Sequence, residues 1–240
     1  MSIRASTAAA LLCALLSAGC GGQARSRPDS EVRSSEFPAA HRPVAPIVSS
    51  RWSTEEARDR LNEADRVMDL AGIKPGMTVA DIGAGEGYYT IRLAERVGAK
   101  GRVLAEDIIP AVRDKLAERV YRERLDNVSV RLGDPADPKL PANSFDRILM
   151  VHMYHEIEAP YEFLWRMRPA LKADGRVIIV DANRPTASHG TPPALLACEL
   201  AAVGYKQIAE MPLPQQGTYL REFLAAGERP TPADIRACKA

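Results

Sequence analysis

The chain has 240 residues, of which 46% are hydrophobic and 26% are charged. This composition supports one sizeable core, and the length favours a single folded domain. The 32 basic and 31 acidic residues nearly cancel to a net charge of +1, so no overall field draws the chain to a phosphate backbone. Nucleic acid is therefore not expected as a partner. The four cysteines are too few for a disulfide-built fold, and none lies in a Cys-x-x-Cys pair.

Residues 1–20 have the pattern of an export signal: Arg4, then an apolar run over 8–16, then small residues. The run is shorter than the roughly 20 residues that a membrane-spanning helix needs, which favours a cleaved signal. Residues 16–20 resemble a lipobox, which implies lipidation of Cys20 and attachment to a membrane in the cell envelope. The usual leucine three places before the cysteine is Ser17 here. There are two alternatives. The segment can be an ordinary secretory signal, or the protein can be cytoplasmic and have no signal.

Residues 21–50 are rich in Ser, Pro, Arg and Gly and have no apolar period, so we expect a flexible tether. The folded domain is expected over 51–240. If Cys20 becomes the mature N-terminus, Cys198 and Cys238 are the remaining cysteines, and they can pair in an oxidising compartment. Their separation in sequence does not show whether they approach each other.

From residue 51 the hydrophobic pattern predicts helices alternating with strands. Ser53 and Glu56 match a capping box, and the helix that follows is expected to end near Gly72. Alternation of this kind predicts a doubly wound α/β fold with a mostly parallel sheet. The other predicted helices are 88–97, 111–124, 161–171 and 193–203, and the predicted strands are 78–82, 103–106, 128–131, 145–151, 176–180, 205–209 and 219–224.

A glycine-rich loop, from Gly83 to Gly87, follows the first predicted strand. In an open parallel sheet the exit of this strand is a common ligand site, because the glycines admit close approach and the next helix offers free N–H groups. A dinucleotide fingerprint places its third glycine three residues after the second. Gly87 comes two residues after Gly85, so the spacing departs from the nicotinamide pattern.

The sequence Asp81-x-Gly83-x-Gly85-x-Gly87 resembles motif I of class I methyltransferases that use S-adenosylmethionine, and residues 66–225 are similar to that family. Residues 140–181 resemble its small-molecule members. The resemblance implies a Rossmann-like, seven-stranded sheet whose last strand is antiparallel. It also implies that S-adenosylmethionine is the cofactor, that Asp81 lies near its methionine part, and that the glycines line it. A glycine turn needed only for packing is the alternative.

Two further acids are candidate cofactor ligands. Asp107 ends the second predicted strand, where a carboxylate can accept hydrogen bonds from ribose hydroxyls, and Glu106 is the competing choice by one residue. Asp134, after the third strand, resembles the family's adenine-binding position. Its successor Pro135 has no N–H to donate to the adenine ring, so a turn-forming Asp-Pro is the alternative role.

Two histidines follow the fourth strand, at the sheet edge where an acceptor molecule is expected. His152 or His155 can serve as a general base for a hydroxyl acceptor, although a structural role is open for both. Their spacing to Glu156 matches no familiar zinc motif, so no metal is expected. Asp181, at the end of the fifth strand, can also face the pocket, and a solvated turn residue is the favoured interpretation.

Three functions remain to be compared. The glycine loop, Asp107 and the strand order favour methyl transfer to a small-molecule or lipid-like acceptor. A nicotinamide-dependent oxidoreductase would use the same ribose acid but does not match the glycine spacing. A non-catalytic binding protein of the envelope is the third possibility, because the cofactor is made in the cytosol and the signal directs the chain outward. The sequence identifies neither the acceptor nor the oligomeric state.

Overall fold

The computed structural model describes residues 28–47, 54–213 and 217–239. Cys20 and Ser53 lie outside these ranges. The chain divides into a unit that ends at Val32 and a unit that begins at Arg33. In the first, Asp29–Glu31 form a short 3-10 helix. The helices and strands below belong to the second, and no helix of the described ranges is long and apolar enough to cross a membrane.

The second unit alternates helices and strands along most of its length. Its helices are α1 (Glu55–Asp59), α2 (Glu63–Leu70), α3 (Tyr88–Val97), α4 (Pro110–Arg122), α5 (Pro160–Met167) and α6 (Pro193–Ala202). Its strands are β1 (Thr78–Ile82), β2 (Arg102–Asp107), β3 (Val128–Leu132), β4 (Phe145–Val151), β5 (Leu171–Ala182), β6 (Tyr205–Pro212) and β7 (Thr218–Ala225).

The strands form one seven-stranded sheet in the order β3-β2-β1-β4-β5-β7-β6. Strands β1 to β5 pair in parallel, and β7 is antiparallel to both of its neighbours. This confirms the predicted fold class. Strand order reverses between β1 and β4, so the connections leave the sheet in opposite directions at that point. A crevice at the carboxyl ends of the strands is the expected result.

The core forms where helices cover the central strands. In β4, Ile148, Leu149 and Met150 are each 0% exposed, as expected for a parallel strand buried on both faces. In α3 the apolar residues recur at helical spacing, and Leu93 and Val97 are fully buried against the sheet. The predicted limits of β1, α3 and β4 match the observed ones because each segment is bounded by glycine or polar turn residues.

Two predicted elements have different limits. The helix expected from Ser53 to Gly72 is divided, because Asn62 adopts a left-handed conformation with φ of 50° between α1 and α2. Thr54 caps α1 by accepting a hydrogen bond from the Ala57 N–H at 3.2 Å. The helix predicted over 161–171 ends earlier, and β5 begins at Leu171 instead of Arg176.

Residues 33–47, here called the strap, pack on the domain, so the tether prediction is wrong for them. Arg42 Nε donates to Glu199 Oε1 at 2.9 Å in a buried ion pair. The ring of Phe37 lies 5.4 Å from that of Trp165. The strap has no hydrophobic period because it is an extended segment held by separate anchor residues, and composition alone therefore suggested a tether.

The C-terminal segment is tied to α6 by a disulfide between Cys198 and Cys238, whose Cα atoms lie 6.0 Å apart. The backbone N–H of Cys238 also donates to the Tyr161 hydroxyl at 2.7 Å, and Cys238 is buried. The pairing that the sequence left open is therefore present in the structure.

We expect reduction of this disulfide to destabilise the domain. The bridge closes a separation of 40 residues. Cross-links of this span contribute roughly 2–4 kcal/mol by restricting the unfolded chain. A reductant should lower the melting temperature of the wild type but leave a Cys198→Ser, Cys238→Ser double variant unchanged. Recovery of the two cysteine peptides uncrosslinked, from protein never exposed to reductant, would contradict the bridge.

Candidate active site

A cavity of about 900 Å³ opens at the carboxyl edge of the sheet, a size typical of small-molecule sites. We call it the edge cavity. One end is formed by the loop after β1 and the end of β2, and the other by the segment after β4 together with the strap, while α1 also contributes to the lining. Its lining includes Val44 to Ile47, Thr54 to Glu56, Arg58, Gly83 to Glu86, Tyr88, Glu106 to Ile108, Pro135, Val151 to Met153, His155 to Glu158 and Phe163.

The predicted glycines have two different roles. Gly83 and Gly85 line the edge cavity with φ of 66° and 57°. A Cβ at Gly83 would lie 3.0 Å from Cγ of Met153, so a side chain at this position would crowd Met153. Gly87 does not line the cavity. It precedes α3 with φ of 91°, and a Cβ there would lie 2.5 Å from Cδ1 of Leu116, so its role is packing.

Asp107 connects β2 to the glycine loop. Its Oδ2 accepts the Gly85 N–H at 3.0 Å, and its Oδ1 accepts the Ile109 N–H at 2.9 Å. The carboxylate lines the cavity and is 5% exposed. A carboxylate has about four acceptor sites, so about two remain for a ligand. Asp107 therefore both orders the loop and presents acceptor sites toward it.

Glu106, the competing candidate, also lines the cavity, with 1% exposure. Its Oε1 is buried and has no hydrogen-bond partner among the described residues. A Cβ at residue 133 would overlap this oxygen, so Gly133 makes room for the side chain. Burial raises the pKa of Glu106 to about 8, and repulsion from Asp107 adds to the effect. Near neutral pH Glu106 therefore retains a proton and can donate it in a hydrogen bond.

The other two predicted acids do not line the cavity. Asp81 is 3% exposed and accepts a hydrogen bond from the Thr90 hydroxyl at 2.6 Å. Burial raises its pKa to about 6. Asp134 is exposed, its carboxylate pairs with Lys139 at 2.6 Å, and its backbone pairs with Asp137. These contacts favour the turn-forming alternative for Asp134 over the predicted adenine contact.

His152 lines the end of the cavity formed by the segment after β4, here called the acceptor end because an acceptor is expected there. Its backbone is left-handed, with φ of 55°. Its Nε2 lies 3.8 Å from Oε1 of Glu63. Burial lowers the pKa of His152 below its usual value, which disfavours the charged ring. Glu63 is held in turn by Arg58 at 2.6 Å and by the Tyr89 hydroxyl at 3.0 Å.

His155 is fixed by a buried carboxylate. Its Nδ1 lies 3.0 Å from Oδ1 of Asp181, and the two residues are 2% and 0% exposed. Asp181 also accepts the Ala182 N–H at 2.8 Å and the Thr191 hydroxyl at 2.7 Å. The solvated role expected for Asp181 is therefore wrong. Because Nδ1 is engaged, Nε2 is the ring nitrogen of His155 left for chemistry.

Sequence reasoning missed the residues that hold the acceptor end together. Glu199, 1% exposed, accepts hydrogen bonds from both Arg42 and the Tyr154 hydroxyl, at 2.9 and 2.7 Å. Ala45 of the strap donates its N–H to the His155 carbonyl at 3.3 Å. One signal was present in the sequence: Glu199 is the only charged residue of the apolar helix α6, and such a residue is rarely buried unless it is paired.

The strand order and the glycine loop over the β1 exit define an α/β domain of the class I methyltransferase type. A model of the methyltransferase domain family matches residues 73–222, and the chain belongs to that family. The resemblance of the Asp81 to Gly87 motif to this family is thereby confirmed.

The relatives and solved structures to which the chain is similar are also methyltransferases. Nocamycin O-methyltransferase of Saccharothrix syringae is 40% identical over 118 residues, covering 48% of this chain and 41% of that protein. A ubiquinone/menaquinone biosynthesis C-methyltransferase of Idiomarina loihiensis is 32% identical, covering 50% of this chain and 49% of that protein. The chain thus spans about half the length of these relatives. A SAM-dependent methyltransferase from Aquifex aeolicus shares the fold, with a TM-score of 0.67 and 24% identity over 75% of this chain and 100% of that one.

We expect Glu106→Gln to change how stability depends on pH. The pKa of Glu106 is about 8 in the folded protein and about 4.5 in the unfolded chain. The unfolded chain therefore loses its proton first as pH rises, so the stability that the protonated side chain provides is full below about pH 4.5 and is lost by about pH 8. Urea unfolding should show the wild type weakening between about pH 5 and about pH 9, by on the order of 1–4 kcal/mol more than the glutamine variant. Asp134→Asn, at an exposed acid, is the control. Parallel pH profiles for all three proteins would contradict the burial argument.

Proposed function

We propose that this chain transfers a methyl group from S-adenosylmethionine to a small-molecule acceptor bound in the edge cavity. The observation that carries the proposal is one cavity lined at one end by Gly83, Gly85 and Asp107 and at the other by His152 and His155. Membership of the methyltransferase domain family supports the reaction class.

The residues at the cofactor end fit S-adenosylmethionine. The remaining acceptor sites of Asp107 suit ribose hydroxyls, and the left-handed backbone of Gly83 and Gly85 lines the cavity without side chains. Glu106 contributes a buried oxygen that needs a partner. Burial raises the pKa of Asp81, Glu106 and Asp107, and a cationic ligand nearby offsets the cost of ionising them. The site therefore favours a sugar-bearing cation.

When bound, S-adenosylmethionine supplies an activated methyl group on a sulfonium, and the protein's task is to position the acceptor against it. Asp107 orders the glycine loop and holds the ribose. The strap forms part of the wall at the acceptor end through residues 44–47. His155, oriented by Asp181, is the better placed of the two histidines to take a proton, because its ring is fixed and Nε2 is not engaged by Asp181.

The acceptor class follows from the lining. Val44, Ile47, Ile157 and Phe163 give the acceptor end an apolar surface, next to the polar groups of His155. We infer a compact, partly apolar molecule that carries a hydroxyl or a similar nucleophile. Relatives named for methyl transfer to oxygen and to carbon are consistent with this class.

Substitution of Asp107 tests the cofactor assignment. Asp107→Ala should weaken S-adenosylmethionine by about tenfold or more, since charge-assisted bonds to ribose are lost and the Gly85 N–H loses its acceptor. Asp107→Asn should weaken it less, although its amide NH₂ must then face one of two backbone N–H donors. The measurement is calorimetry with S-adenosylmethionine and with its demethylated product, which carries the same ribose.

Asp134→Ala is the matched control, because Asp134 belongs to the same family pattern but lies outside the cavity. Equal affinities for wild type and Asp107→Ala would remove the support for the cofactor site. A reduced nicotinamide that binds in place of S-adenosylmethionine would favour the oxidoreductase. Tight S-adenosylmethionine binding without methyl transfer to any of a panel of phenols, quinols and enols would favour the non-catalytic binding protein.

We also propose that the chain is exported and attached to a membrane through lipid on Cys20, which lies outside the described residues. The disulfide between Cys198 and Cys238 supports an oxidising compartment. Cys20→Ser should move the protein from the membrane to the soluble fraction and abolish incorporation of labelled fatty acid, with an unchanged melting temperature. Wild type found wholly in the soluble fraction would contradict the anchor.

A further inference from the structure

A cluster of metal-ligand side chains lies at the acceptor end of the sheet. His155, Glu156 and His189 each offer one ligand atom, and these atoms all lie within 4.8 Å of one another. His155 and Glu156 belong to the 3-10 turn after β4, and His189 ends the 3-10 turn after β5. Because β4 and β5 are parallel neighbours, their exits meet at the same edge. The sequence spacing predicted no metal because His189 comes from a different loop.

The orientation of His155 is that of a metal-ligating histidine. Such residues commonly donate one ring N–H to a carboxylate, which fixes the tautomer and directs the other nitrogen to the metal. Here Oδ1 of Asp181 lies 3.0 Å from Nδ1 of His155, which leaves Nε2 on the opposite side of the ring. Asp181 is 0% exposed and is held by an amide and a hydroxyl besides His155. This buried negative charge favours a cation bound to the same imidazole.

The loop that carries His189 is also fixed. The Ala182 carbonyl accepts the N–H groups of Arg184 and Thr191, at 2.8 and 2.9 Å, which closes the loop at its base. A Cβ at Gly190 would collide with the same carbonyl, so this position requires glycine. The rings of His155 and His189 lie 5.5 Å apart at an angle of 87°. Two loops held by hydrogen bonds thus bring the two imidazoles together.

We propose that His155, Glu156 and His189 bind a divalent transition-metal ion of the zinc type in the wall of the edge cavity. Two imidazoles and one carboxylate are a ligand set that zinc uses where a fourth position stays open. Zinc bonds of about 2.0–2.2 Å hold tetrahedral ligand atoms roughly 3.3 Å apart, so small side-chain rotations close the observed separation. With Asp181 behind His155, the two carboxylates balance the charge of the dication.

The open position faces the acceptor, because His155 and Glu156 line the edge cavity. This part of the inference rests on the proposed function. The ion would coordinate an acceptor hydroxyl and make its proton more acidic. The proton leaves to solvent, the oxygen forms a bond to the methyl carbon, and the carbon–sulfur bond of the sulfonium breaks to give a neutral thioether. In the zinc-bound protein Nε2 of His155 would be a metal ligand, so the proton-accepting role proposed above belongs to the zinc-free protein.

The test uses the tag-free full chain, stripped of metal and kept without reductant. Zinc is titrated by calorimetry, and cobalt(II) serves as a visible-absorption probe of the ligand set. We expect zinc to saturate at one tight site, and His189→Ala and Glu156→Gln each to weaken it by roughly tenfold or more and to alter the cobalt spectrum. His41→Ala, at an exposed histidine outside the cluster, is the matched control and should bind zinc as the wild type does.

Equal zinc affinity in the wild type, His189→Ala and Glu156→Gln would overturn the metal site, as would failure of the wild type to bind zinc. S-adenosylmethionine binding is measured on the same zinc-loaded and zinc-free samples, which separates this inference from the proposed function. Zinc binding that depends on His189, without S-adenosylmethionine binding, would keep the metal site and reject the methyltransferase. Binding of S-adenosylmethionine without zinc binding would do the reverse.

Discussion

The reversal of strand order between β1 and β4 is the constraint on which the rest of the structure depends. Connections on one side of this point run toward β3, and those on the other run toward β5. The exits of β1 and β2 therefore form one wall of a crevice, and the exits of β4 and β5 form the other. The glycine loop and Asp107 lie on the first wall, while His155 and Asp181 meet on the second. One topological feature thus separates the end of the cavity that holds the glycine loop from the end that holds His155.

This arrangement concentrates carboxyl groups that the fold only partly satisfies. Thr90 donates to Asp81, and two backbone N–H groups donate to Asp107, yet Glu106 Oε1 has no partner among the described residues. Burial raises the pKa of all three acids. Burying three neighbouring carboxyl groups costs stability, because each loses its hydration and like charges repel. Groups with strongly shifted pKa values are concentrated at functional sites. A bound ligand there can supply the hydrogen bonds and charge that the protein does not.

Sequence patterns predicted what depends on neighbours along the chain. The limits of β1 and α3, the glycine loop between them and the end of β2 are local features, bounded by glycine and polar residues. The role of Asp134 was harder to predict because a turn and a ligand contact use the same Asp-Pro pair. The difference depends on where the carboxylate points, and here it pairs with Lys139.

The acceptor end was predicted less well because its parts come from distant positions. Asp181 looked like a turn residue, and only the fold shows that it lies behind His155. His189 follows in a loop with no motif of its own. The strap has the composition of a tether and still packs, because a buried ion pair and a ring contact do not require a hydrophobic period. Such contacts depend on the tertiary structure, and a single sequence does not encode them as a pattern.

Adjacent residues of α6 connect three remote segments at this end. Cys198 bonds to Cys238 and so holds the C-terminal segment, while Glu199 binds Arg42 of the strap and Tyr154 of the turn after β4. Removing one partner of a buried charged pair leaves the other charge uncompensated, so these contacts are mutually dependent. Tyr154 precedes His155 directly, and the strap covers the same turn through Ala45. The geometry around His155 therefore depends on Glu199 as well as on Asp181, although Glu199 does not line the edge cavity.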